Sequence, residues 1–408
     1  MKVGIWIDEH INPAVGGGFS YATQLVQRID AHTFPEHIDV VFVSYQHGLE
    51  SFQKEVVHLK ESKRELPLVQ RVVHQIANRF YRFRKKAAAL KAKRDALRQD
   101  ETTAQLKAQK IDLVYYMSQM QQYVSDYPFI TTNWDVAHLS MPPFPEIVDK
   151  GELKRRRVWY DYTLPKATAV FVESEAGKQE LIDLVKVDPD KVFIVPLFPG
   201  GIVTLDVPDK EQHEILEQFG LQPETFMFYP AQFWKHKNHD TLVKAFGQFH
   251  QEFPNVKLVF SGSDKGNLKE VQQLVQTLGI ADQVSFLGFI SNEALHTLYR
   301  HAIALVMPTF LGPTNMPPLE AASLGCPVLC SDFDGHREQL GNGAIYFDPA
   351  SEESINKALL KIMDPEVRTA LIANANEVRE TSTFTSRHAL DCIHQHFLTI
   401  HNTVFASS

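Results

Sequence analysis

Apolar residues in this chain gather in short unbroken runs, and most runs are followed by a stretch with helical periodicity. Runs of that kind mark strands buried on both faces, as in parallel sheets covered by helices. The first half carries KVGIWI (Lys2 to Ile7), DVVFVS (Asp39 to Ser44), DLVYYM (Asp112 to Met117), FITTNW (Phe129 to Trp134), AVFVES (Ala169 to Ser174) and KVFIVP (Lys191 to Pro196). The second half carries FMFYPA (Phe226 to Ala231), KLVFSG (Lys257 to Gly262), VSFLGF (Val284 to Phe289), AIALVM (Ala302 to Met307), PVLCS (Pro327 to Ser331) and AIYFD (Ala344 to Asp348). Alternation of such strands with helices predicts an α/β class with two similar domains.

The Pro- and Gly-rich stretch PLFPGGIVTLDVPDK places a linker near Pro196 to Asp209. The domains then span residues 1–200 and 205–385, with a final helix over roughly Ser386 to Thr403 and a tail to 408. A length of 408 residues suits two domains. At 44% hydrophobic and 22% charged residues, with no apolar run near the roughly 18 needed to span a bilayer, the composition is that of a globular protein in water. The opening MKVGIWIDEH reads as a first strand and not as a signal peptide, so a cytoplasmic location is expected. Cys326, Cys330 and Cys392 are odd in number and lack metal-like spacing, which predicts reduced structural thiols.

The net charge of −8 is unevenly spread. Arg71 to Arg98 holds Arg71, Arg79, Arg82, Arg84, Lys85, Lys86, Lys91, Lys93, Arg94 and Arg98 against Asp95 alone, a local +9 that leaves −17 for the rest. Lys154 to Arg157 form a second cluster. Within the first, Val72, Val73, Ile76, Phe80 and Phe83 add an apolar stripe. The segment is either a peripheral contact with an anionic membrane or a solvated helix packed by its stripe. An acidic balance without a recognisable nucleic-acid module argues against nucleic acid.

Three loops carry candidate chemistry. Gly16, Gly17 and Gly18 follow the first strand and precede a helix, where small residues let a phosphate approach backbone amides; a plain connection is the alternative. The G-x-G-x-x-G spacing and a ribose-binding acid after the second strand are both lacking, which excludes a nicotinamide dinucleotide fingerprint. Asp135 and His138 follow a strand, at the edge where open α/β sheets bind ligands. Lys235, His236, Lys237 and His239 crowd a strand-to-helix turn, as a diphosphate grip or a solvated turn.

The blocks YPAQFWKHKNHDTLVKAF, LVFSGSDKGN, VSFLGFISNEALHTLYRHAIALVMPT and PPLEAASLGCPVLCSDFDGHREQLGNGAIYFDP together resemble the retaining nucleotide-sugar glycosyltransferases of GT-B fold, glycosyltransferase family 4. In the first half the Gly-rich loop, WDVAHLSMPPFPEI and AVFVESEAGKQELIDL resemble it more weakly. The resemblance implies two Rossmann-like domains facing across a cleft, with the C-terminal helix crossing back to the first domain. It implies that Glu320 binds the donor ribose, that Lys237 and the Gly16 to Gly18 amides stabilise the leaving diphosphate, and that His138 touches the donor sugar. Phe289 and its neighbours would meet the base, and Ser261, Gly262 and Ser263 would line the pocket. Glu320 could instead be a first-turn acid facing the helix dipole.

Two positions depart from the family pattern. A Glu commonly found eight residues before the ribose Glu is Gly312 here, and an Arg five residues before the phosphate-binding Lys is Gln232. Thr314 and Asn315 are then expected to give neutral hydrogen bonds to the donor, with Lys235 or Lys237 balancing the diphosphate. No cofactor or metal is expected. The donor would be a UDP-, GDP- or dTDP-linked sugar and the acceptor a glycan or lipid-linked glycan, in bacterial surface polysaccharide assembly. A sugar-nucleotide epimerase, a phosphorylase or a non-catalytic sugar-nucleotide-binding protein could share the fold.

Overall fold

The computed structural model describes residues 1–7, 17–45, 52–60, 96, 98–119, 126–141, 143–149 and 151–406. Gly16 and residues 71–94 of the basic segment lie outside the described residues. Arg98 is within them and lies over the Tyr45 ring, 5.5 Å from its centre.

The first sheet is built from β1 (Lys2–Trp6), β2 (Asp39–Ser44), β3 (Val56–His58), β4 (Leu113–Tyr116), β5 (Phe129–Thr132), β6 (Ala169–Val172) and β7 (Val192–Ile194). Its order is β3-β2-β1-β4-β5-β6-β7, parallel throughout. β8 (Phe226–Pro230), β9 (Lys257–Ser261), β10 (Val284–Phe286), β11 (Ala304–Met307), β12 (Val328–Ser331) and β13 (Ala344–Phe347) form the second, in the order β10-β9-β8-β11-β12-β13. It too is parallel. Each predicted run holds a strand, because both faces of β4, β5, β6, β11 and β12 are buried. β3 is additional, and its three residues are too few for a pattern.

The strand order reverses at β1 in the first sheet and at β8 in the second, so each has a crevice at the carboxyl ends of its central strands. Helix Ser386–Ile400 returns to the first domain, as expected: Ala389, Ile393, Phe397 and Ile400 share a core with Val3, Ile5, Leu113, Tyr115 and Phe171. Met316 and Leu319 of a second-domain helix join that same core, which binds the two domains together by apolar contact. Cys326 and Cys330 are buried free thiols and Cys392 is half-buried and free. None of the described helices is long and apolar enough to cross a membrane.

Candidate functional site

The loop between β11 and helix Met316–Ser323 meets the first domain just after β6, where Thr314 reaches Glu173 and Pro313 lies near Gly177. Gly312 sits at φ +96°, and a Cβ there would come within 2.8 Å of the Thr314 carbonyl oxygen. A side chain at this position is strained in both backbone and space, which accounts for glycine where the family pattern has Glu. Gly335 is tighter still: its Cβ would fall 1.7 Å from the Pro313 oxygen. The loop is therefore seated directly on the backbone of helix Asp334–Leu340.

Asn315 is the centre of this arrangement. Its backbone N–H donates to Gln339 Oε1 and its carbonyl accepts from Gln339 Nε2, both at 3.1 Å. Its side-chain amide is oriented by His336, a fully buried ring whose Nδ1 bonds the Ser331 carbonyl at 2.7 Å. That bond puts the proton on Nδ1, so Nε2 accepts from Asn315 Nδ2 at 3.0 Å. Burial lowers the His336 pKa to about 4, which keeps the ring neutral. With its NH₂ so engaged, Asn315 turns Oδ1 to Lys237 Nζ at 3.4 Å.

Lys237 is the cation this site offers. It is half-buried, has no carboxylate partner among the described residues, and burial lowers its amine to about 8. Lys235, the other expected cation, is instead paired with Asp240 at 3.0 Å and with Glu270, so its charge is already matched. Of the two lysines, Lys237 alone keeps unmatched charge for an anion.

Glu320 is in the fifth position of helix Met316–Ser323, not in its first turn. Pro317 and Pro318 are tolerated in a first turn, so the helix begins at Met316 and the dipole reading of Glu320 fails. Its carboxyl is buried, accepting from the Gly200 N–H at 3.2 Å and the Tyr299 hydroxyl at 3.3 Å. Burial pushes it up to about 7.

Thr314 does not present its hydroxyl to open space: Oγ1 donates to Glu173 Oε1 at 2.6 Å, across the domain boundary. Gln232 Oε1 accepts from Trp234 Nε1 at 3.0 Å. Ser261, Gly262 and Ser263 are stapled to that same loop, since the Ser261 and Ser263 carbonyls accept from Ala231 and Phe233 at 2.8 and 3.0 Å. Gly262 has φ +143° and lies so close that a Cβ would be 2.3 Å from the Ala231 oxygen, so no other residue fits. Phe289 is 71% exposed beyond β10. Gly17 and Gly18 open the helix Gly17–Ala31 instead of preceding it.

On the first domain the His138 ring lies against that of Tyr160, ring centres 4.4 Å apart and tilted by 33°. Burial and the nearby Arg156 lower its pKa, and its Nδ1 has no hydrogen-bond partner among the described residues. Asp135, three residues earlier, accepts the Tyr160 hydroxyl at its carbonyl. Its Oδ1 takes Arg156 at 2.6 Å and the Ala137 N–H at 2.9 Å.

Two carboxylates were not singled out in the sequence, although both lie in blocks that carry the weaker resemblance, and their partners emerge only in three dimensions. Glu173 follows β6 with one oxygen on Thr314, while the other, Oε2, is buried with no partner among the described residues. Burial pushes it up to about 8. Glu146, in the helix Pro145–Val148, accepts both from the His236 N–H at 2.9 Å and from His236 Nδ1 at 2.6 Å. No group of three or more metal-type side chains occurs among the described residues.

Residues 211–378, which hold Lys237, Asn315, Glu320 and the strand ends around them, match the profile of glycosyl transferases group 1. The second domain is thus similar to the group 1 glycosyl transferases over those residues. The whole chain has the GT-B fold. A glycosyltransferase from Anabaena, Alr3699/HepE, solved in complex with UDP-glucose, superposes with a TM-score of 0.67 at 16% identity, covering 98% of this chain and 100% of that one. WaaG, described as a glycosyltransferase involved in lipopolysaccharide biosynthesis, superposes at 0.63 and 14% identity over 96% and 98% of the two chains. The O-antigen chain mannosyltransferase RfbU of Salmonella typhimurium is 32% identical over 141 residues, which is 35% of this chain and 39% of that protein. The match thus spans about two fifths of that relative's length.

Proposed function

We propose that the chain is a retaining glycosyltransferase that moves a sugar from a nucleotide-sugar donor to a glycan or lipid-linked glycan in bacterial surface polysaccharide assembly, at the cytoplasmic side. The observation that carries this reading is Lys237. A half-buried ammonium without a carboxylate partner among the described residues, oriented by Asn315 within the stretch similar to group 1 glycosyl transferases, suits a diphosphate whose charge grows as the glycosidic bond breaks.

In this reading Glu320 exchanges its Gly200 bond for the ribose hydroxyls, and Ser261 to Ser263 with Phe289 border the base. His138, lying against Tyr160 on the first domain, meets the sugar. The bond from the anomeric carbon to the phosphate oxygen breaks and the acceptor oxygen bonds the same face. Its proton passes to the departing phosphate, so no separate base is needed and the configuration is retained. No metal or cofactor is assigned a role.

The test is a screen of UDP-, GDP- and dTDP-sugars for thermal stabilisation, followed by product analysis with the donor that binds. A ligand at about 100 times its dissociation constant adds roughly 2.7 kcal/mol. Stabilisation with transfer to an acceptor is the expected result. Stabilisation without turnover would make the chain a sugar-nucleotide-binding protein, and conversion of the donor's own sugar would make it an epimerase.

A further inference from the structure

Lys237 stands on a turn that its own domain holds only in part. The Tyr229 hydroxyl donates to the Lys237 carbonyl at 2.9 Å, and Asn238 Nδ2 donates to the carbonyls of Pro308 and Pro349 at 3.0 and 2.7 Å. The Phe310 N–H donates to the His236 carbonyl at 2.8 Å. These bonds leave the His236 N–H and ring. Both go to one acceptor on the opposite domain, Glu146 Oε1. Phe144 completes the dock, its ring 5.7 Å from that of Phe310 and 6.4 Å, edge-on, from His236.

The chemistry of the pair is fixed by its surroundings. The two side chains are 8% and 10% exposed. Burial lowers the proton affinity of His236 and keeps it neutral. Burial raises that of Glu146, but its bonds to His236 outweigh the rise and hold the carboxyl below its ordinary value. A carboxylate only accepts, so the His236 ring presents Nδ1–H to it.

We propose that Glu146 is a positioning residue for Lys237: by holding the amide and ring of His236 from the first domain, it sets the Lys235–Lys237 turn, so the ammonium reaches its diphosphate-binding position only while the domains are together. This rests on the glycosyl-transfer reading of Lys237. Its consequence is that an open cleft does not assist departure of the diphosphate, which protects the donor from water until the cleft is assembled.

The experiment is a double-mutant cycle between Glu146→Ala and Lys237→Ala, with Glu146→Gln as the conservative variant and the unfolding midpoint of each as a control for folding. Two readouts are taken: kcat and donor KM, and calorimetric affinity for UDP, GDP or dTDP alone, which mimic the departed leaving group. Glu146→Ala is expected to lower kcat by roughly ten- to a hundredfold, the scale of a misplacement of about 1 Å, with donor KM shifted less. It should also weaken nucleoside diphosphate binding. Glu146→Gln retains an acceptor oxygen and should recover most of both losses. In the Lys237→Ala background, Glu146→Ala should cost nothing further, because it acts through that lysine. Wild-type values in Glu146→Ala, or losses that simply add, overturn the proposal. If wild type binds a nucleoside diphosphate but transfers no sugar, the glycosyl-transfer reading falls while the calorimetric cycle still decides the coupling. If none of the three binds wild type, both fall.

Discussion

Glu320 Oε1 accepts the backbone N–H of Gly200 at 3.2 Å, tying a helix of the second domain to the connector that leaves the first. The bond lies at the connector between the two domains, and in the proposed reading it occupies the carboxyl that would take the ribose. Glu320→Ala should weaken donor binding by about 1.5–3 kcal/mol, the usual worth of a hydrogen bond to a charged group. Equilibrium titration of the folded variant measures it, and unchanged affinity would remove Glu320 from the donor site.

The Gly312 backbone predicts that restoring the family's acid would harm this chain. Gly312→Glu forces an L-residue to φ +96° and sets its Cβ 2.8 Å from the Thr314 oxygen. Strain of this kind costs about 1–3 kcal/mol. The variant should melt lower and gain no activity. A variant as stable as wild type and more active would show that the site lacks a carboxylate it needs.

Glu173 predicts a pH dependence of stability. Its carboxyl is raised from the ordinary 4.5 to about 8 by burial, so the folded chain holds its proton more tightly than the unfolded chain. The contribution is fully present below about pH 4.5 and is lost as pH rises through 8. Glu173→Gln keeps an acceptor for Thr314 without an ionisable group. Its melting temperature should gain on wild type between pH 5 and 8, by about 2–4 °C for each kcal/mol. His239 and His336, lowered by burial from the ordinary 6.5 to about 3 and 4, act with the opposite sign in a window that overlaps this one below 6.5, but both proteins carry them, so they cancel in the difference. Parallel melting curves for the two proteins would remove Glu173 as the source.

Much of the fold was legible because parallel strands buried on both faces leave unbroken apolar runs, as in AVFV and ALVM. The site was legible where its residues share a loop, as Lys237 does with its turn and Asn315 with the GPTN elbow. Glu173 and Glu146 were not, because each finds its partner 141 and 90 residues away, and a single acid after a strand or in a proline-rich bend has no spacing to read. The choice between Lys235 and Lys237 was not legible for the same reason: Glu270, which pairs with Lys235 together with Asp240, lies on a separate helix. The first-turn alternative for Glu320 fails because the helix already begins at Met316, with Pro317 and Pro318 in its first turn.

Transfer by Lys237→Ala, compared with wild type, tests the account most directly. With the nucleotide sugar that stabilises the wild type and an acceptor glycan, release of nucleoside diphosphate gives kcat and KM, and proton NMR gives the anomeric configuration of the product. Wild type should transfer the sugar with retention. Lys237→Ala should lose kcat by roughly a hundredfold or more with donor KM changed far less, since the diphosphate gains its charge only as the bond breaks. An inverted product, or a Lys237→Ala enzyme with wild-type kcat, would contradict it.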